Sequence, residues 1–326
     1  MNENITATLK STETEDWVDL HIVRPITYYL AKGFAHFGIH PNTVTIWSMI
    51  IGASSAACFV QGSFYYNGVH GLLINLLGVL LLMIADFFDC TDGQLARMTG
   101  QKSRLGRILD GVAGFAWFGP IYVLLVYRFY LHHDIEFSLL GIENTEQNTL
   151  IATALVFLLA LTAGIRALAG QQRLADYYIQ AHLYFLKGEK GSELDNSQQQ
   201  QELYDQMGKD VAWYERLFQK SYVGYTLKQE RRTPQFQQLL QRLHEQYGHA
   251  ADFPTWVREE FHRCSKAVMP WNLLLVYNFR TFWFFLFCLI DVPVMNWVFE
   301  LFVLEAVTIY TNRRHEAFCR QIREKL

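Results

Sequence analysis

The chain has 326 residues, of which 51% are hydrophobic and 15% aromatic, and its formal net charge at pH 7 is −3. This near-neutral charge argues against a nucleic-acid partner, because surfaces that bind nucleic acid carry an excess of lysine and arginine. The five cysteines are scattered and lack the spacing of a disulfide framework or of a cysteine-ligated metal site.

The first segment, residues 1–40, mixes apolar, aromatic and charged positions between Trp17 and Leu30. This pattern predicts an N-terminal amphipathic helix that lies in the membrane interface, with a break at Pro25. A helix that packs on the rest of the protein is the alternative.

Six apolar blocks follow, and a hydrocarbon core is crossed by about 20 helical residues. One such block also suits a soluble core, but six together indicate an all-α, polytopic membrane protein with six transmembrane helices. Four helices are expected in 41–170 and two in 267–326. Their approximate positions are 43–61, 70–90, 107–128, 148–169, 273–291 and 294–312.

Lysine and arginine are absent from three long stretches, residues 33–96, 129–165 and 281–312. With six spans, the basic residues then collect on one side of the membrane, which the positive-inside rule identifies as the cytoplasmic side. We therefore expect an integral membrane protein with both termini in the cytoplasm. In a bacterium it would lie in the inner or cell membrane. Arg128, near the outer end of the third span, is the exception.

Residues 171–266 form a polar insertion between the fourth and fifth spans, which we expect to be helical and cytoplasmic. Its first part, 171–186, looks like a continuation of the fourth span, and 188–191 ends that helix. Residues 196–201 are a low-complexity polar stretch. The insertion contains neither a glycine-rich phosphate loop nor a His-Glu-x-x-His pair, so no role is assigned to it.

Acidic residues gather where the second span ends and the third begins, in the pattern Asp89-x-x-Asp92-Gly93-x-x-Ala96-Arg97, eight residues, Gly106, then Asp110. Helical spacing puts Asp89 and Asp92 on one face, and an antiparallel helix pair brings Asp110 to the same depth. Carboxylates in a membrane helix are costly and mark a functional site. Three oxygen donors without a histidine or cysteine suit a hard cation, Mg²⁺ first and otherwise Mn²⁺ or Ca²⁺. Such an ion stabilises charge in phosphoryl-type transfer.

Small and basic residues accompany these acids. Gly93 and Ala96 leave room for a ligand near the helix backbone, and Gly106 allows a close helix crossing. Donors for phosphate are offered by Arg97, Lys102, Arg104 and Arg107. An ordinary cytoplasmic loop rich in positive charge is the alternative for the loop residues.

The acidic pattern resembles the signature of the CDP-alcohol phosphatidyltransferase family (class I). The six spans, the amphipathic helix before them and Pro41-Asn42-x-x-Thr45 at the first span are also similar to that family. Its members are membrane enzymes that join a CDP-linked lipid or alcohol to an acceptor hydroxyl and release CMP. The resemblance implies these substrates, a six-helix core and a divalent-metal site that faces the cytoplasm. It covers most of residues 17–130 and the later spans, but not the insertion.

The resemblance also implies roles for individual residues. Asp89, Asp92 and Asp110 would bind Mg²⁺ or Mn²⁺, and Asp110 would take part in catalysis. The CDP group would be lined by Asp92, Gly93, Ala96, Arg97 and Gly106. Arg280, at the cytoplasmic side of the fifth span, is similar to an arginine that some members carry there for phosphate contact; anchoring of its helix is the alternative.

One position departs from the family pattern. Gly114 stands where the family has a fourth aspartate, which is the expected base for the acceptor hydroxyl. Glycine supplies neither a metal ligand nor a base, which suits a catalytically degenerate relative. Asp86 offers a different interpretation, because it lies one turn deeper than Asp89, at about the depth of Gly114 on the antiparallel third span. Asp86 is therefore a candidate catalytic base, with a structural pairing as the alternative.

The expected function is metal-dependent transfer of a phosphatidyl or phospho-alcohol group, as in phospholipid biosynthesis. A first alternative keeps the fold and the metal but moves a headgroup onto another lipid hydroxyl, such as that of a ceramide. A second is a membrane scaffold or transporter, although a scaffold does not need three acids and a transporter would need broken helices near the midplane. The expected partners are membrane lipids, the CDP-linked donor and the hydroxyl acceptor. Whether two copies form a homodimer stays open.

Overall fold

The computed structural model describes residues 11–101, 103–208 and 211–326. Side chains are described for these residues except at positions 104, 107, 168 and 169. In this part of the chain the protein is all-helical, with 85% helix and no strand. The predicted all-α fold is therefore confirmed.

Six helices among the described residues are long and apolar enough to cross a membrane, which confirms the six predicted spans. They are Pro41–Gln61, Phe64–Thr99, Ile108–Leu131, Glu146–Lys187, Thr255–Leu289 and Val294–Lys325. The second of them exposes Leu73, Leu76, Leu77 and Leu80. This spacing follows one face of a helix, as expected for a surface in contact with lipid.

The α-helices begin and end as follows, in chain order: α1 (Arg24–His36), α2 (Pro41–Gln61), α3 (Phe64–Thr99), α4 (Arg104–Leu131), α5 (Asp134–Leu140), α6 (Glu146–Arg166), α7 (Arg173–Lys187), α8 (Ser197–Asp205), α9 (Trp213–Arg232), α10 (Pro234–Tyr247), α11 (Thr255–Leu273), α12 (Tyr277–Leu289), α13 (Val294–Phe299) and α14 (Glu305–Lys325). Three π-helical stretches continue the neighbouring helices, at Asp19–Val23, Ala167–Gln172 and Glu300–Leu304. Short 3₁₀ turns lie at Glu189–Gly191 and Ala250–Asp252.

The described chain falls into two compact units. Unit 1 contains Trp17–Gly170 and Tyr277–Leu304, and unit 2 contains Gln171–Val276, Glu305–Leu326 and the stretch 11–16. The C-terminal helix α14 thus shares a unit with the polar insertion, whereas the sequence-based segments grouped it with the last two spans.

Helix α3 carries the acidic pattern near its C-terminal end. Ser63 caps its first turn, and Gly68 (φ 58°, ψ −142°) interrupts the helical backbone soon afterwards. The stretch from Val69 to Asp89 is about 30 Å long at 1.5 Å per residue, which is close to the thickness of a hydrocarbon core. One membrane thickness therefore separates the interruption at Gly68 from the acids.

Helices α2 and α4 pack closely because a glycine faces a tryptophan. A Cβ atom on Gly52 would lie 2.2 Å from Cδ1 of Trp117, so no larger residue fits without movement. Trp117 Nε1 donates a hydrogen bond to the carbonyl oxygen of Ser48 at 3.1 Å, which fixes the indole in this position. Small residues at helix contacts are the usual way for membrane helices to approach each other.

We expect Gly52→Ala to destabilise unit 1 by about 1–3 kcal/mol, the usual cost of overpacking a filled core. Gly119→Ala is the matched control, because Gly119 lies within helix α4 and a Cβ atom there meets nothing within 4 Å. Thermal unfolding of the two variants in the same detergent measures the difference. Equal unfolding temperatures would contradict this account of the contact.

Arg128, the exception to the charge pattern, is buried in unit 1 and fully engaged. Its guanidinium lies 2.6 Å from Oδ1 of Asp291 and donates to the carbonyl oxygens of Phe59 at 3.0 Å and Gly62 at 2.7 Å. Oδ2 of Asp291 accepts a hydrogen bond from the backbone N–H of Tyr65 at 2.9 Å. A buried charge needs such partners, so Arg128 joins helix ends rather than adding charge to a loop.

The N-terminal helix contains no break at Pro25. The chain instead passes from the π-helical turn Asp19–Val23 directly into α1, and Pro25 lies in the first turn of α1. Ala31 and Phe34 of this helix pack with Val44 and Leu95 in a small core. Other apolar side chains of the segment are exposed, namely Trp17, Ile22 and Tyr29. The interfacial position therefore stays a prediction.

Unit 2 has an aromatic core of its own. Phe185 of α7 stacks on Phe261 of α11 with ring centroids 3.8 Å apart, and Phe236 of α10 and Phe318 of α14 pack against Phe261. Helix α7 ends at Lys187 with Gly188 in a positive-φ conformation, where the sequence predicted the end of that helix.

Candidate active site

Four acids of unit 1 lie at the end of α3 and the start of α4. Asp86, Asp89 and Asp92 follow one another at three-residue intervals, so they share a helix face. The carboxylate of Asp89 lies close enough to those of Asp86, Asp92 and Asp110 to be repelled by their negative charge. In the described chain, no three of these acids bring carboxylate oxygens within 4.8 Å of one another. Repulsion between the negative charges opposes a closer approach of the carboxylates.

Asp89 is the acid with an unsatisfied oxygen. Its Oδ1 atom is buried and has no hydrogen-bond partner among the described residues. A buried carboxylate oxygen without a donor is costly and calls for an explanation. A cation held between Asp89 and the neighbouring carboxylates would supply the missing interaction and offset their repulsion. The donor set, oxygen atoms alone, fits Mg²⁺ or Mn²⁺.

Asp92 is held by a neighbouring helix. It is buried, and its Oδ2 accepts a hydrogen bond from the hydroxyl of Thr45 in the second turn of α2. This contact between buried side chains fixes the carboxylate of Asp92 relative to the start of α2. The sequence pattern included Thr45 without indicating its partner.

Gly93 and Arg97 lie one turn apart on α3. A Cβ atom on Gly93 would lie 3.3 Å from Nη1 of Arg97, so glycine allows the guanidinium to lie back along the helix. Arg97 and Ala96 are both half-buried. A positive group is thus placed within one helical turn of Asp92, beside the acids.

Gly106 lies at the close helix crossing that the sequence indicated. A Cβ atom there would lie 2.8 Å from Oδ1 of Asn42 and 3.0 Å from Oγ of Ser103. Ser103 caps α4 by accepting a hydrogen bond from Gly106 N at 2.9 Å, and its hydroxyl lies 3.2 Å from Asn42 Oδ1. A larger residue at this position would require the side chain of Asn42 to move.

The acidic end of α3 is matched by a comparison with known families. Residues 38–173, which include α2 to α6, match the model of the CDP-alcohol phosphatidyltransferase family. This stretch of the chain is therefore similar to the CDP-alcohol phosphatidyltransferase family. No curated protein and no solved structure is similar enough to the chain to count as a match.

Members of the CDP-alcohol phosphatidyltransferase family transfer a phosphate-linked group from a CDP-alcohol to an acceptor and generally depend on a divalent metal. The match contains all four acids and both glycines of the acidic pattern, and it ends at the start of α7. The family resemblance seen in the sequence is confirmed over these residues. The matched family is a transferase family, and the six apolar helices indicate an integral membrane protein.

Within the matched region, Asp86 lies on the side of the acids that faces α12. Asp86 is 9% exposed and interacts electrostatically with the phenol of Tyr277, whose hydroxyl donates to the carbonyl oxygen of Leu82 at 3.4 Å. Gly114 of α4 is half-buried. Tyr277 could not be found from the sequence, because it lies far along the chain from the acids and outside any motif.

The basic residues considered for phosphate contact differ in their surroundings. Arg280 is buried and forms an ion pair with Glu300, with Nη1 2.9 Å from Oε1. Tyr122 donates to the other oxygen of Glu300 at 2.7 Å. This buried pair favours the anchoring role for Arg280. Lys102 lies outside the described residues, as do the side chains of Arg104 and Arg107.

Proposed function

We propose that this protein transfers a phosphatidyl or phospho-alcohol group from a CDP-linked donor to an acceptor hydroxyl and releases CMP. The observation that carries the proposal is the buried, unpartnered Oδ1 of Asp89 among three further carboxylates. Four acids at one helix pair are too costly in a membrane protein for a purely structural purpose.

Asp89, Asp92 and Asp110 are the residues that would hold Mg²⁺ or Mn²⁺. When bound, the ion neutralises charge on the pyrophosphate and stabilises the departing CMP. Thr45 orients Asp92 through its hydrogen bond, which leaves the second oxygen of that carboxylate for the ion. Arg97 supplies a positive charge for a phosphate oxygen of the donor. Gly93, Ala96 and Gly106 keep side chains out of the space beside the acids.

Asp86 is proposed to take the proton from the acceptor hydroxyl. The hydroxyl oxygen then attacks the phosphorus that bears the alcohol, and the bond from that phosphorus to the oxygen of CMP breaks. CMP leaves with the electron pair of that bond. Asp86 is buried and is an electrostatic neighbour of Asp89, which supports a place for it beside the reacting groups.

The orientation of the site is also proposed. The distribution of lysine and arginine places the acids on the cytoplasmic side, where a CDP-linked substrate is accessible. A lipid donor or acceptor would reach the acids from the membrane, in keeping with the exposed leucines of α3.

The test is CMP release by purified protein with CDP-diacylglycerol or a CDP-alcohol as donor and a panel of alcohols and diacylglycerol as acceptors. We expect CMP to form only when the matching donor and acceptor are both present. Headgroup transfer from a phospholipid to ceramide without CMP would instead support the first alternative. Inactivity with every donor, in protein that unfolds cooperatively, would support the degenerate relative.

A further inference from the structure

A second group of metal-binding side chains lies in unit 2, apart from the acids of α3. Glu13 comes from the N-terminal stretch 11–16, His182 from α7 and His262 from α11. One ligand atom from each lies within 4.8 Å of the others. Oε2 of Glu13 is 2.7 Å from Nε2 of His262 and 3.2 Å from Nε2 of His182. In the described chain this is the one such group.

The surroundings of His182 prepare it to bind a ligand. Its side chain is fully buried, and its Nδ1 lies 2.7 Å from Oγ of Ser265. The Ser265 hydroxyl donates to the carbonyl oxygen of His262 at 3.2 Å, so it accepts from Nδ1–H of His182. This network leaves the lone pair on Nε2, which is the atom that faces Glu13.

Nε2 of His182 is also buried; it lies 3.2 Å from Oε2 of Glu13, but no hydrogen bond of good geometry meets it in the part of the chain that the structure describes. An unsatisfied acceptor of this kind costs free energy unless an ion or a donor meets it. The second ring nitrogen of a metal-bound histidine usually donates to an oxygen, as Nδ1 of His182 does. The burial of Nε2 and the serine contact are therefore two independent indications of a ligand.

We propose that Glu13, His182 and His262 bind a divalent transition-metal ion, with Zn²⁺ as the best fit. Two imidazoles and a carboxylate suit Zn²⁺, whereas Mg²⁺ prefers oxygen ligands in octahedral geometry. Ligand atoms at about 2.0–2.2 Å from a tetrahedral ion lie roughly 3.3 Å apart. The contact of Glu13 with His182 has this length, at 3.2 Å, and its contact with His262, at 2.7 Å, would lengthen when the ion binds. The fourth position would be left to water.

Lys266 is a neighbour that opposes a cation at this position. Its ammonium lies 2.8 Å from Oε1 of Glu13, the oxygen that does not face the histidines. This hydrogen bond occupies Oε1 and holds the carboxylate of Glu13 in place. The side chain of Lys266 is 57% exposed, and water screens the repulsion from its charge. Oε2 remains directed at the two histidines.

The ion would tie the N-terminal stretch to two helices that are distant in the chain, since Glu13 and His262 are 249 positions apart. A ligand that binds only the folded form shifts the folding equilibrium in its favour. We therefore assign the ion a structural role in unit 2, independent of the transfer reaction.

The test uses full-length protein in detergent, purified without a polyhistidine tag, stripped with chelator, supplied with Zn²⁺ and dialysed. Mass spectrometry then measures the zinc content of each sample. We expect the wild type to retain one zinc ion per chain, and Glu13→Gln and His262→Ala to lose it. Both residues are about one-quarter exposed, so these variants should fold. Thermal unfolding without zinc checks this.

Two further variants sharpen the result. His249→Ala is the matched control, because His249 is an exposed histidine of unit 2 that faces a single glutamate, Glu189, at 3.7 Å. It should retain zinc as the wild type does. Lys266→Met should bind zinc more tightly, since it removes the opposing charge. The proposal would be overturned if the wild type retained no zinc, or if Glu13→Gln and His262→Ala retained as much zinc as the wild type. The three side chains would then form only a network of hydrogen bonds.

Discussion

The Asp89→Asn variant is expected to release CMP more than about 100-fold more slowly than the wild type. Loss of a residue that only hydrogen-bonds to a metal ligand already lowers activity about 10- to 100-fold, and Asp89 would be a ligand itself. Asparagine keeps the shape of the side chain but removes the charge that would hold the ion. The same change relieves repulsion from Asp86, Asp92 and Asp110. The temperature of thermal unfolding should therefore stay constant or rise, as often occurs when a strained functional residue is replaced.

The matched control for this variant is Asp134→Asn. Asp134 is an exposed acid of unit 1 that accepts hydrogen bonds from Tyr66 at 3.1 Å and Asn144 at 3.0 Å, far along the chain from the acidic pattern. It should release CMP at close to the wild-type rate. If Asp89→Asn retained its activity and lost stability, Asp89 would have a structural role instead.

The second large effect is expected at Asp86. Loss of a general base costs about 10²- to 10⁴-fold in rate, so Asp86→Asn should be severely impaired. Gly114→Asp alone should bring no gain, because a fifth acid would crowd the site and one acid would stay protonated. The double variant Asp86→Asn/Gly114→Asp should regain part of the activity, since the two positions lie at similar depth on antiparallel helices.

A degenerate enzyme gives the opposite pattern at these positions. Asp86→Asn would then be silent, and Gly114→Asp alone would restore transfer from a CDP-linked donor. Tyr277→Phe separates catalysis from structure, because the phenol of Tyr277 is an electrostatic neighbour of Asp86. If Asp86 served only as a structural partner of that phenol, Asp86→Asn and Tyr277→Phe would lower the unfolding temperature equally. Neither variant would then slow CMP release without also losing stability.

The sequence was sufficient for the six spans, because hydropathy depends on local composition. It was less informative about where helices end. Helix α3 begins at Phe64 and is interrupted at Gly68, and a break at residues 274–276 separates α11 from α12. These details depend on capping by Ser63 and on backbone conformation rather than on apolar pattern. The polar stretch 196–201 proved largely helical, since Asn196 accepts from the N–H groups of Gln198 and Gln199 and so starts α8.

The acids were found from sequence because they share a short pattern, but their partners were not. The hydroxyl of Thr45 and the phenol of Tyr277 approach the acids from helices whose register follows from packing, such as the contact of Gly52 with Trp117. The group of Glu13, His182 and His262 has no spacing signal at all. Its ligands are brought together only by the folding of unit 2.

The most direct test of the central claim is the metal dependence of CMP release. Protein stripped with chelator and dialysed should release no CMP with a donor and an acceptor that support the reaction. Mg²⁺ or Mn²⁺ should restore the rate of CMP release in the wild type but not in Asp89→Asn. Zn²⁺ at the same concentration should not restore the rate in either protein. CMP release that persists at the full rate in chelator would contradict a metal site at Asp89, Asp92 and Asp110.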